Sequence, residues 1–139
     1  MAGETGGVVN YLGRNCPVQH VNGLSAASSE VDVVASPGSN LRIRVMAVRI
    51  QQTSGTGTGN LDIESQANGT TSGTVIAQDI QVTDNGIPFI TSYPHGLWET
   101  ADGEDLNFTM TTAHAISYDV WYITYNPSPN TSTSVVGGQ

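Results

Sequence analysis

Apolar and polar residues alternate with a period of two along most of this chain, and no stretch carries helical spacing. Between Leu106 and Thr111, Leu106, Phe108 and Met110 alternate with Asn107, Thr109 and Thr111, the mark of a strand with one buried face. The run from Ile116 to Tyr125 is dense in β-branched and aromatic residues, so it predicts a second strand. Only a short turn around Ala113 to Ala115 separates the two, which predicts a closing antiparallel hairpin. Upstream, Glu30 to Ala35 reads as a short strand stopped by the turn cluster Ser36-Pro37-Gly38-Ser39-Asn40. Leu41 to Gln51 reads as the longest strand. There Leu41, Ile43 and Val45 alternate with Arg42 and Arg44, and then the apolar phase slips to Val48 and Ile50, the signature of a β-bulge or bend. Residues 53–59 read as a flexible Ser/Thr/Gly loop. Asn60 to Gln66, Thr74 to Thr83 and Ile87 to Thr91 read as strands, with Asn68-Gly69 and Asn85-Gly86 as turn signals.

Strands at roughly ten-residue spacing with turns between them predict an all-β domain, an antiparallel two-sheet β-sandwich. Jelly-roll wiring is favoured over an immunoglobulin-like order, since the chain has one cysteine and no Cys–Trp–Cys pattern. Residues 29–126 form this domain, and 127–139 read as a flexible C-terminal tail. Residues 1–28 differ. Five glycines interrupt single apolar residues without periodicity, so the segment reads as an extended N-terminal arm that buries Val8, Val9, Tyr11, Leu12, Val18 and Val21 against a partner.

With 139 residues the chain is long enough for one core and too short for two. It has no lysine, four arginines and twelve carboxylates, for a net charge of −8. That balance argues against nucleic acid and against an anionic membrane surface as partners, because both need a basic patch. The start of the chain lacks the pattern of a signal peptide, and no apolar run is long enough for a membrane helix, so synthesis in a host cytoplasm is expected. Cys16 has no sequence partner for a disulfide.

The chemistry-bearing residues do not converge on a catalytic pattern, and the chain reads as a non-enzyme without cofactor or metal. His20, His95 and His114 are not in metal-ligand spacing; Ser92, His95 and Asp102 make a weak triad at best. Asp102, Glu104 and Asp105 cluster around Gly103 without the spacing of a Ca²⁺ loop, and Asp62 with Glu64 reads as a solvated strand face. Sequons at Asn68, Asn107 and Asn130 read as accidents of a Ser/Thr-rich chain. Trp98, Trp121, Tyr122 and Tyr125 are subunit-interface candidates, since Trp121 and Tyr122 occupy opposite faces of one strand and both faces must then be covered. The alternative use of such aromatics, with Tyr93, is a sugar platform.

The segment from Gly96 to Met110, GLWETADGEDLNFTM, following a strand Arg42-Ile-Arg-Val-Met-Ala-Val, resembles small β-sandwich structural proteins of tailed bacteriophages. In that group a "KIRVLS" strand precedes a "GWFETAAGEALNLTLS" segment. The resemblance covers about residues 38–125. It implies a capsid decoration (cement) protein, a homotrimer on the outer surface of the virion, with the phage major capsid protein as partner and no catalytic residue. A receptor- or glycan-binding module of a tail or fibre is the alternative, using Tyr93, Trp98 and the Ser/Gly/Thr loops.

Overall fold

The computed structural model describes residues 7–25, 30–83, 88–111 and 114–128. Its strands are β1 (Val8–Tyr11), β2 (Arg14–Pro17), β3 (Gln19–Ser25), β4 (Glu30–Val34), β5 (Arg42–Ser54) and β6 (Thr58–Gln66). They continue as β7 (Thr74–Thr83), β8 (Phe89–Ser92), β9 (Trp98–Glu99), β10 (Asp105–Met110) and β11 (Ala115–Tyr125). All pairings are antiparallel, and the chain is an all-β two-sheet sandwich.

The wiring is a set of nested pairs. β6 pairs with β7 around the Asn68-Gly69 turn, β5 with β8, β4 with β10, and β3 with β11. A chain doubled back on itself this way and rolled over two sheets is a jelly roll. One sheet runs β4-β10-β6-β7; the other runs β3-β11-β5-β8, with β9 also on β5. Their facing sides enclose Ile43, Val45, Val48, Ile50, Leu61, Ile63, Leu106, Phe108, Ile116 and Val120, all fully buried. Phe108 and Tyr118 meet edge to face across the layers, with ring centroids 5.4 Å apart.

The phase slip in the long strand is a bulge. Val45 pairs with Tyr122 and Ala47 with Trp121, so Met46 is the extra residue. Val45 and Val48 therefore face the core while Met46 faces outward into a second cluster.

Three expectations need correction. First, β10 and β11 do not form a hairpin. The short link between them crosses from one sheet to the other, because in the nested order each already lies between two partners. Second, residues 53–59 are mostly strand, and only 55–57 separate β5 from β6. Third, the described part of residues 1–28 is not an arm. β3 is an edge strand of the sandwich, and β1–β2 is a hairpin folded onto it, so the boundary at 28/29 divides a sheet from its own edge. Residues 129–139 of the expected tail lie outside the described residues.

Candidate functional site

Both features of interest lie on the outer face of the five-stranded sheet. Its lower half is covered by the hairpin. The two-residue turn Leu12-Gly13 has φ of 52° and 76°, the left-handed geometry of a type I′ turn whose twist suits a β-hairpin. Below it, Cys16 and Val18 are buried with Met46, Ile123 and Tyr125, and Val9, Tyr11 and Trp121 pack at the margin. Tyr11 stands edge-on to Tyr125 at 4.8 Å, and the Arg44 guanidinium lies 4.7 Å from the Tyr11 ring centre. Arg14 donates to the carbonyl oxygens of Asn126 and Ser128, the latter at 2.6 Å, tying the hairpin to the segment after β11.

These contacts answer where the interface candidates go. Trp121 and Tyr122 do occupy opposite faces, but the outward aromatics are covered by this chain's own hairpin. Tyr125 is buried beneath it. Tyr122 packs on the core and donates to Gln19 Oε1 at 3.2 Å, and Trp98 packs at the core's edge. The residues assigned to capsid contact also disperse. Val18 is buried and Val21 packs on the core, whereas Val8 and Leu12 are exposed on the outer side of the hairpin.

Glu99 gathers the charges beside the hairpin. Its carboxylate accepts from Arg42 Nη1 at 2.9 Å, from Arg44 Nη1 at 2.7 Å and from the Tyr125 hydroxyl at 2.5 Å. Burial alone would raise this carboxyl, but the Tyr125, Arg44 and Arg42 hydrogen bonds outweigh it and hold it below its ordinary value. Next in the chain, Thr100 Oγ1 is buried and accepts from Ile43 N at 3.0 Å. Asp105 accepts from Ser36 N at 2.6 Å, and Glu104 from Ser65 Oγ at 2.5 Å. The Glu-Thr-Ala-Asp-Gly-Glu-Asp segment is thus a row of ties between the sheets and their connections. Asp102 is engaged by Arg42 Nε at 2.5 Å, and no hydrogen bond joins Ser92, His95 and Asp102 among the described residues. No group of metal-ligating side chains occurs there either. Asp62 and Glu64 accept from the backbone N–H groups of Asp79 and Gly73, and Asn107 is wholly buried on Gln66.

The upper half of the same face is open. Asn22, Asp119, Arg49 and Ile90 sit side by side on β3, β11, β5 and β8; His20, Trp121, Ala47 and Ser92 form the row below. Asp119 Oδ1 bonds His20 Nε2 at 2.9 Å, and its Oδ2 accepts from Arg49 Nε at 2.7 Å and Nη2 at 2.5 Å. Burial would raise the Asp119 carboxyl, but His20 and Arg49 outweigh it and lower it. The His20 ring stacks on Trp121 at 4.8 Å and 19°. Arg49 Nη1 donates on to Gln51 Oε1 at 3.3 Å. A groove of about 260 Å³ runs over Asn22, Gly23, Leu24, Arg49, Ser117 and Asp119. Leu24 and Ile90 flank it, 76% and 66% exposed, and Tyr93 stands exposed just beyond β8. Gly23 has a steric reason: a Cβ there would lie 2.4 Å from the Tyr118 hydroxyl.

Of this constellation the sequence reading singled out only Trp121 as an interface residue, with Tyr93 for the sugar alternative. It passed over Asn22, Arg49 and Asp119. The one available signal was the outward phase of Arg49 and Gln51 against Ser117 and Asp119.

No protein-family model matches the chain, and no curated protein matches it. Among solved structures it is similar to the CBM22-1 xylan-binding domain of a Paenibacillus barcinonensis protein, at 18% identity over 92% of this chain and 86% of that one, with a TM-score of 0.38. It is also similar to a Clostridium thermocellum xylanase solved as CBM22-1 and GH10 modules complexed with xylohexaose, at 15% identity, with a TM-score of 0.38. That match covers 90% of this chain and 25% of the other.

Proposed function

We propose that the chain is a non-catalytic binding module that takes a carbohydrate on the open upper half of the five-stranded sheet. The observation that carries this reading is the hydrogen-bonded set His20–Asp119–Arg49, with Asn22 beside Asp119 on the next strand and His20 stacked on Trp121, along an open groove. Sugars present hydroxyl groups in fixed planes and apolar C–H faces. Planar guanidinium and carboxylate groups held by one another, with the exposed Asn22 amide beside them, meet the hydroxyls at little ordering cost, and Leu24 and Ile90 offer surface for the C–H faces. The test is calorimetric titration of the full chain with plant and bacterial cell-wall oligosaccharides. Saturable binding that Asn22→Ala and Leu24→Asp each weaken about tenfold or more, without unfolding, supports the reading. Both residues are exposed, so folding is expected to survive. Absence of binding across the panel, or binding indifferent to both substitutions, overturns it.

A second reading follows from the phage resemblance: a virion structural protein decorating a capsid as a trimer. It is supported by the Gly96–Met110 segment, whose polar residues serve as ties within the fold, as expected of a motif that is structural in that group. Its attachment surface would be the exposed Val8 and Leu12 side of the hairpin in place of a free arm. Co-sedimentation with purified undecorated heads, reduced by Leu12→Asp, is the outcome that favours it over the first.

A further inference from the structure

We infer that the open face selects uncharged glycans and excludes acidic ones, and that Asp119 determines this specificity. The inference rests on the carbohydrate-binding reading and deepens it. Recognition of a uronate or sulfate is the task of a guanidinium fork with free N–H groups, which pairs the anion bidentately. Arg49 is the one arginine lining the groove, and its charge and three of its five N–H groups are engaged within the chain. Nε and Nη2 go to Asp119 Oδ2, and Nη1 goes to Gln51 Oε1. The pair is neutral where it stands, so the groove offers no uncompensated positive charge.

The other three arginines lie outside the groove. Arg42 and Arg44 are held by Glu99, with Asp102 also on Arg42, and Arg14 is turned onto two backbone carbonyls across the hairpin. The whole chain carries a net charge of −8, which lowers the local concentration of any anionic ligand at low salt. Asp119 therefore does two things. It positions His20 and Arg49 as hydrogen-bonding groups toward hydroxyls, and it cancels the charge that would otherwise draw carboxylates. Replacing it by a neutral isostere leaves the guanidinium in the groove with its charge uncompensated.

The experiment compares an uncharged β-1,4-linked hexasaccharide series (xylose, glucose and mannose) with a hexamer of galacturonate. Wild-type protein and Asp119→Asn are each titrated at 20 mM and at 500 mM NaCl, with circular dichroism confirming that the variant is folded. Wild type is expected to bind an uncharged hexamer at least about tenfold more tightly than the acidic one at low salt, with the gap narrowing at high salt. Asp119→Asn is expected to weaken binding of the uncharged ligand, because His20 and Arg49 lose the group that positions them, and to gain about tenfold for galacturonate relative to that ligand at low salt, an advantage that shrinks at high salt. Equal wild-type affinity for both hexamers overturns the selectivity while leaving carbohydrate binding intact. Binding of neither overturns the underlying reading and this inference with it. Should Asp119→Asn not fold, the wild-type comparison across the two salt concentrations decides alone.

Discussion

Replacing Tyr11 by alanine tests whether the first strands belong to the fold or merely trail from it. Tyr11 is half-buried, edge-on to Tyr125 at 4.8 Å and under the Arg44 guanidinium at 4.7 Å. The aromatic pair is worth about 0.5–1.5 kcal/mol, and an exposed cation–π contact about 0.5–1 kcal/mol. A fully buried apolar side chain of this size contributes about 1.5–3 kcal/mol, so the half-buried ring adds roughly 1 kcal/mol. The sum is roughly 2–3.5 kcal/mol. At about 4 °C per kcal/mol for a domain of this size, Tm is expected to fall by roughly 8–14 °C. Differential scanning calorimetry of wild type, Tyr11→Ala and Tyr11→Phe reads this directly, and Tyr11→Phe, which keeps both rings, is expected to retain most of the stability. A shift below about 1 °C for Tyr11→Ala would refute the reasoning. The hairpin would then contribute nothing to the folded state, and the outer aromatics would need some other cover.

Two further outcomes follow from the same structure. Leu12 is 59% exposed with φ of 52°, so Leu12→Asn, which adopts that geometry more readily, is expected to stabilise the chain by about 0.5 kcal/mol, read as a higher midpoint in urea. A lower midpoint would mean that Leu12 makes a contact that matters. Glu99 and Asp119 are both held below their ordinary values, so their contribution is present above the unfolded carboxylate range near pH 4 and is lost as pH falls through the lower folded values. Tm is expected to be flat between about pH 5 and 7 and to fall below about pH 4, less steeply in Glu99→Gln; equal slopes in the two proteins would show that the Glu99 network does not stabilise.

The sequence carried the sandwich but hid its first edge, and the reasons are physical. β5, β6, β7 and β11 alternate because one face meets the core, and even the bulge at Met46 was visible as a slip between Val45 and Val48. β3 shows no such alternation. Its inward positions include Gly23, which must be small to clear the Tyr118 hydroxyl, while its outward Leu24 is exposed, so the pattern runs opposite to a core strand. The glycines that made residues 1–28 look like an arm are, at Gly13 and Gly23, a hairpin turn and a close approach. The two-faced character of Trp121 and Tyr122 was legible, but whether the second face meets another subunit or the same chain depends on a contact more than a hundred residues away in sequence. The same separation hid the candidate site. Asn22, Arg49 and Asp119 are unremarkable on their own strands and become a row only when the nested pairing sets β3, β11 and β5 side by side.

The most direct measurement is a ¹H–¹⁵N correlation titration of the full chain with the tightest-binding uncharged oligosaccharide. Shifts are expected to concentrate on the backbone amides of Asn22, Leu24, Arg49, Ser117 and Asp119 and on the Trp121 indole, with the Arg49 side-chain Nε signal moving alongside them. Shifts confined to the far sheet, or to the hairpin around Leu12, with the Arg49 and Asp119 signals unmoved, would contradict the placement of the binding site on the open half of the five-stranded sheet.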